Sequence, residues 1–389
     1  MRTFAVKSTV LVSPVSIMSI GSVSPLGSSP DEVWESYLDE RAFITRGALN
    51  VPVAILSQRE TDEVAGLRDS NPHYRHLDNS VLYAILASRR ALRIAGWNDG
   101  EFGINIGSSR GATGLFEKHH SEFINTGITG AHTSPVTTLG NIASWVAQDV
   151  RANGPDISHS ITCSTALHAV LNGVAWLSSG MADRFLVGGS EAPLTPFTIA
   201  QMQGMKIYSQ EQGEHPVRAL DLEKKGNTMV LGEGAAMTCL QAGKNSHALA
   251  YIDGIGYATE ILEHGASLSA TAECLQKAMR MAIKDINPAE VDAVVMHAPG
   301  TVKGDLSEYR AIQEVFGGNL PLLTTNKWKI GHTFGASGLL SLELAVLMLQ
   351  HNKFVEAPFY NQETGRDIKK VLVNAVGFGG NAVSVLVSK

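Results

Sequence analysis

The chain has 389 residues, 44% of them hydrophobic and 17% charged, with a formal net charge of -6. That length and apolar content suffice for a large core in two or three domain-sized units, and the acidic balance excludes a general attraction to nucleic acid or anionic lipid. Three cysteines, Cys163, Cys239 and Cys274, are too few and too scattered for a disulfide framework or a metal-ligand spacing, so no metal is expected and a reducing cytosol fits.

In chain order, a strand is predicted over residues 9–18, and Lys7 with the Ser, Pro and Gly that follow breaks the early apolar run before membrane-spanning length. After Gly21-Ser-Val-Ser-Pro-Leu-Gly27 a helix starts at Ser29-Pro30-Asp31, with Ser29 capping and Pro30 in the first turn. Strand-like runs at 103–107, 157–162, 184–188, 235–240, 248–255, 291–297, 321–325 and 382–387 alternate with helix-like stretches at 79–95, 164–179, 267–285 and 339–351. Such alternation predicts parallel β–α units between helical layers. Gly96 and Gly180 stand where C-caps belong. Residues 111–153, rich in Gly, Thr, His and Ser, read as a cap or substrate-lining insertion. A polar stretch at 241–246 divides the chain into β–α halves, 1–245 and 246–389.

Cys163 stands where a strand gives way to an amphipathic helix. Unpaired N–H groups and the positive end of the helix dipole favour the thiolate there, which makes Cys163 a nucleophile by position. Cys239 and Cys274 read as inert core thiols. His297, in His297-Ala-Pro-Gly-Thr301-Val-Lys-Gly-Asp305, and His332, in Lys327-Trp-Lys-Ile-Gly-His332-Thr-Phe-Gly-Ala-Ser-Gly338, each follow a strand-like run and precede a helix-like one. One thiol and two imidazoles point to covalent acyl chemistry.

These motifs, with Thr162-Cys-Ser-Thr-Ala-Leu-His168, Val187-Gly-Gly-Ser-Glu191, Arg218-Ala-Leu-Asp221, Gly232-Glu-Gly-Ala235 and Gly377-Phe-Gly-Gly380, resemble in order and spacing the β-ketoacyl-acyl-carrier-protein synthases of the thiolase superfamily. The resemblance implies an α/β, five-layered αβαβα thiolase-like fold of two duplicated halves, and a 3-oxoacyl-[acyl-carrier-protein] synthase that joins an acyl-Cys163 intermediate to a malonyl-carrier protein with loss of CO2. It implies an acyl carrier protein as partner, a homodimer or a heterodimer with a ketosynthase-like subunit, and no resident cofactor, because phosphopantetheine arrives on the carrier. The implied roles are an oxyanion hole from the N–H groups of Cys163 and Phe378, with Gly377 and Gly379 allowing the backbone path, and His297 and His332 as donors to an enolate. Lys327 matches a buried lysine paired with Asp305 and Glu308, Thr301 holds the pantetheine arm, and Phe116 lines the far end of the acyl tunnel.

The sequence also departs from the family pattern. Pro299 replaces a pantetheine-binding threonine, Ser341 stands where a glutamate is usual, Thr162 precedes the nucleophile in place of a smaller alanine, and Asn381-Ala382 follows the glycine-rich turn in place of Thr-Asn. Phe116 in the tunnel suggests short or planar conjugated acyl chains. Arg75 and Lys118-His119-His120 are basic candidates for carrier docking. A thiolase would need a second reactive cysteine, and an initiating ketosynthase would show Asn at the position of His332. The remaining alternative is a chain-length-factor-like, weakly active or non-catalytic subunit of a ketosynthase heterodimer.

Overall fold

Ten strands form two five-stranded sheets of identical topology in the computed structural model, which describes residues 14–47, 49–139, 141–262 and 268–389. The first sheet contains β1 (Val15–Val23), β2 (Gly103–Gly107), β3 (Asp156–His159), β4 (Arg184–Glu191) and β5 (Gly234–Ala242), in the order β1-β5-β4-β2-β3. The second contains β6 (Ala250–Thr259), β7 (Ala293–Val295), β8 (Leu322–Thr324), β9 (Lys370–Gly377) and β10 (Asn381–Ser388), in the order β6-β10-β9-β7-β8. Numbered from its own first strand, each sheet runs 1-5-4-2-3. In each, the first three strands in that order pair antiparallel and the last three parallel.

Helices complete five layers. Helix α1 (Asn79–Ala95) and the helix Asn141–Val150 cover the outer face of the first sheet, α2 (Thr165–Ser178) lies between the sheets, α3 (Glu273–Ala282) and α4 (Val302–Phe316) cover the outer face of the second, and α5 (Ser337–His351) packs beside α2. This is the thiolase-like architecture. Its strands are apolar almost without alternation because both faces of each sheet are covered. Residues Phe334–His351 are long and apolar enough to cross a bilayer, but 89% of that stretch is buried inside the fold. Its all-round hydrophobicity belongs to a helix enclosed by two sheets and a neighbour. Gly338 permits the α2–α5 approach, since a Cβ there would lie 2.8 Å from Leu167 Cγ.

The helix at Pro30–Leu38 is capped by Ser29, whose side chain accepts the Glu32 N–H. Asp78 caps α1, and Gly96 ends it in the left-handed region at φ 70°. Three expectations shift. The first strand is β1 at Val15–Val23, with residues 9–13 of the expected 9–18 lying outside the described residues. Helix α3 begins at Glu273 where residue 267, itself outside the described residues, was expected, because the Glu260 carboxylate accepts the N–H groups of Ser269 and Cys274 and holds the intervening chain out of the helix. β4 continues past residue 188 to Glu191 because β5 pairs with it as far as Gly234. The insertion 111–153 is largely helical, at Thr113–Thr126, Thr133–Thr137 and Asn141–Val150.

Candidate active site

The repeated topology gives Cys163 and His332 equivalent places. Each sits in the connection between the third strand of its half and the helix of the central layer, in the turn from β3 to α2 for Cys163 and, after the short helix Lys327–Ile330, in the longer passage from β8 to α5 for His332. His297 follows β7 and Phe378 follows β9; β7, β8 and β9 are parallel neighbours, so their C-terminal ends open on the same side. Cys163, His297, His332, Thr301, Gly377 and Phe378 line one cavity of about 510 Å³.

Cys163 is 5% exposed, and burial, reinforced by the nearby Glu191 carboxylate, pushes its thiol up to about 12 against the opposing charges of Lys327 and Arg110. This runs against the expectation of a thiolate at the helix terminus: loss of water around the sulfur outweighs the Lys327 and Arg110 charges that favour the anion. The thiol must therefore lose its proton as it attacks.

The two imidazoles meet edge to face, with centroids 5.1 Å apart and planes at 88°. Burial and then the Lys327 charge hold His297 down at about 3, and burial, His297 and Lys327 keep His332 well below its ordinary value. Both are neutral at physiological pH. Their positions are set by the main chain: the N–H groups of His297 and Ala298 donate to Glu308 at 2.9 and 2.8 Å, while the His332 N–H donates to the Val230 carbonyl at 2.7 Å. His332 Nδ1 has no hydrogen-bond partner among the described residues.

Lys327 is buried, and its Nζ donates to Asn326 Oδ1 at 2.8 Å and Ser341 Oγ at 3.0 Å. The expected pairing with Asp305 and Glu308 is corrected. Asp305 binds Lys224 Nζ at 2.7 Å and the N–H groups of Leu220 and Gly300, and Glu308 is occupied by backbone donors and Asn374. Both acids act on Lys327 only through their fields, and with neutral direct partners burial lowers the lysine to about 7. Ser341 thus holds the ammonium itself. Glu343, two residues on, is buried on another face, where burial raises it to about 7 and the Ser22 side chain binds it.

A Cβ on Gly377 would lie 1.9 Å from Thr162 Oγ1, which donates to the Phe378 carbonyl at 3.3 Å. This contact ties the nucleophile's turn to the glycine-rich one. Thr162, Ala298 and Phe334 have φ of 47°, 20° and 40°, left-handed values that non-glycine residues rarely adopt; Phe334 lines the cavity, and Thr162 and Ala298 are the chain neighbours of Cys163 and His297, which do. Gly379, at φ 96°, belongs to the same turn but does not line the cavity. Thr301 does line it, and its Oγ1 caps α4 by accepting the Gly304 N–H. Pro299 is also on the wall.

Phe116 is not brought to the cavity. It is 60% exposed on Thr113–Thr126, a helix with no buried residue, and stacks on His120. That helix lies on the surface of the subunit, so a phenyl ring on it has no route to the Cys163 chamber within one chain. Arg75 and Lys118-His119-His120 also lie off the cavity, whereas Lys225 and Lys303 are exposed on its wall.

Two residues escaped the sequence reading. Glu191 accepts from the N–H groups of Ser109, Arg110 and Gly335 and from Ser108 Oγ, joining the turn after β2 to the turn before α5, and burial raises it to about 7. Its motif was legible, but its four donors come from two distant segments. Lys224, the counter-ion of Asp305, carried no motif signal. Among the described residues no group of three or more His, Cys, Asp or Glu could hold a metal ion.

The models of the β-ketoacyl synthase N-terminal and C-terminal domains match residues 12–246 and 249–360. A curated relative, 3-oxoacyl-[acyl-carrier-protein] synthase 2 of Coxiella burnetii, is 28% identical, over 96% of this chain and 98% of its own. Among solved structures, a type II polyketide-synthase acyl-carrier protein in complex with its ketosynthase bound to the hexaketide is similar at a TM-score of 0.82 and 20% identity, over 97% of this chain and 99% of that one. The ishigamide ketosynthase/chain length factor is similar to the same degree, with a TM-score of 0.82, 20% identity and coverage of 97% and 99%. The chain therefore belongs to the β-ketoacyl synthase family of condensing enzymes.

Proposed function

We propose that the protein is a 3-oxoacyl-[acyl-carrier-protein] synthase acting by decarboxylating Claisen condensation. In the first half-reaction Cys163 Sγ attacks an acyl-carrier thioester. A new C–S bond forms, the pantetheine thiol leaves with the proton, and the tetrahedral oxyanion sits between the N–H groups of Cys163 and Phe378. In the second, a malonyl thioester loses CO2 and the electron pair forms an enolate whose oxygen accepts from neutral His297 and His332. Its carbon attacks the acyl-Cys163 carbonyl, a C–C bond forms, the C–S bond breaks with the electron pair on sulfur, and the departing Cys163 thiolate takes up a proton from water to regenerate the thiol. An uncharged imidazole suits the enolate because it donates without being held as a cation in a dry chamber.

The reading is carried by one observation: a thiol, two neutral imidazoles and the Gly377-Phe378 turn share a cavity wall. Phosphopantetheine enters on the carrier through the side bearing Lys225, Lys303 and Thr301, and no resident cofactor is needed. The relatives' names supply the carrier protein as partner, and a cytoplasmic setting follows from carrier-borne acyl chemistry. We assign the repeating units to residues 1–245 and 246–389, and the exposed apolar face of Thr113–Thr126 to a twin subunit.

Intact-mass measurement with an acyl-carrier donor tests the reading. The wild type gains one acyl mass, Cys163→Ala gains none, and only the wild type then extends the chain with malonyl-carrier protein. The alternative, a chain-length-factor-like subunit, draws on the raised Cys163 thiol and the neutral partners of Lys327; absence of acyl mass on the wild type selects it.

A further inference from the structure

We propose that Arg110 reads an oxygen atom on the acyl group carried by Cys163, so that the enzyme selects chains bearing a carboxylate or carbonyl oxygen over plain saturated ones. The inference rests on the acyl-Cys163 reading above.

Arg110 leaves the turn after β2 from a fixed backbone. Its N–H donates to Glu191 Oε1 at 3.1 Å, the Ser109 N–H to Glu191 Oε2 at 2.7 Å, and the Gly111 N–H to Ser108 Oγ at 2.9 Å. From there the half-buried side chain lays its guanidinium over the Phe334 ring, 5.8 Å from the centroid, and donates to Gln201 Oε1. Phe334 lines the Cys163 cavity and meets His332 edge-on at 5.3 Å, so the guanidinium lies directly behind a wall of the reaction chamber. Its charge is felt at the nucleophile, where it favours the thiolate.

The surroundings do not neutralise that charge. Among the described residues no carboxylate lies within ion-pair distance of the guanidinium, and its one side-chain hydrogen-bond partner is an amide oxygen. The neighbouring side chains are apolar: Ile199, Met202 and Phe334 pack in one cluster with Cys163, and of the three Phe334 lines the cavity. A saturated acyl chain laid there would strip water from a cation and give nothing in return. A carboxylate or ketone oxygen instead meets planar, fixed N–H donors on a weakly hydrated group, the arrangement in which charge-assisted hydrogen bonds are strongest.

The test loads carrier protein with hexanoyl, with adipoyl and with a terminal-ketone analogue of the same length, and follows the rate of Cys163 acylation by intact mass. We expect the oxygenated donors to acylate the wild type about tenfold faster or more than hexanoyl. Arg110→Met should abolish that ratio and Arg110→Lys keep part of it. Preference for adipoyl alone assigns a carboxylate, and preference for both assigns a carbonyl oxygen. Equal wild-type rates overturn the proposal, as does a ratio that survives in Arg110→Met; if that variant does not fold, the wild-type ratio decides. No acylation by any donor removes the acyl-Cys163 reading, and this proposal with it.

Discussion

Protonation at this site is governed by dehydration. Cys163 lies near a buried lysine yet its thiol is pushed up to about 12, so the fraction of thiolate at neutral pH is small. The alkylation rate of Cys163 by iodoacetamide should therefore rise about tenfold per pH unit across the neutral and alkaline range, and a plateau near neutrality would contradict it. Lys327 gives a stability signature of its own. Its pKa falls from 10.5 to about 7 on folding, so between those values the unfolded chain holds a proton that the folded one lacks. Stability from this group rises with pH through that window, and its destabilising effect is complete below about pH 7. Lys327→Met should accordingly raise the melting temperature most at low pH, and the gain should shrink towards pH 10. Ser341→Glu, which puts a carboxylate against the ammonium, should raise the lysine's pKa and flatten that dependence.

At the scale of elements, turns from different halves interlock around the chamber. Gly377→Ala drives a methyl group into Thr162 Oγ1, so the variant should lose acylation by about a hundredfold or more while its folded fraction changes much less. Thr162→Ala in the same chain removes the nearest clashing atom and should restore part of the rate; no restoration would assign the loss to another contact. Asp78 joins two elements, accepting from the Ser80 N–H as the cap of α1 and from the Leu115 N–H of the Thr113–Thr126 helix. Asp78→Ala should cost about 1 kcal/mol from the cap alone, seen as a lower urea midpoint with an unchanged m-value.

The whole subunit leaves a surface that water does not suit. Phe116, Phe123, Ile124 and Ile128 are 60%, 46%, 67% and 73% exposed on and just after one surface helix. Single exposed apolar residues are ordinary, but four together mark a face meant to be covered. Light scattering should give twice the 41.5 kDa of the chain. Phe123→Asp with Ile124→Asp should give the single mass, and an unchanged dimer would place the interface elsewhere.

The sequence by itself determined the alternation of strands and helices, the three-residue constellation of Cys163, His297 and His332, and the family, because apolar periodicity and turn chemistry are local and seven short motifs kept their order. Helix α1 was legible to the residue, with Gly96 marking its end, and the structure adds the Asp78 cap at its start. What only the tertiary structure decided were quantities set by neighbours remote in sequence: the proton on Cys163, the exchange of Asp305 from Lys327 to Lys224, the seat of Phe116 outside the chamber, and the guanidinium behind Phe334. Desolvation and ion pairing depend on which segments meet in space, and spacing along a chain does not carry that information.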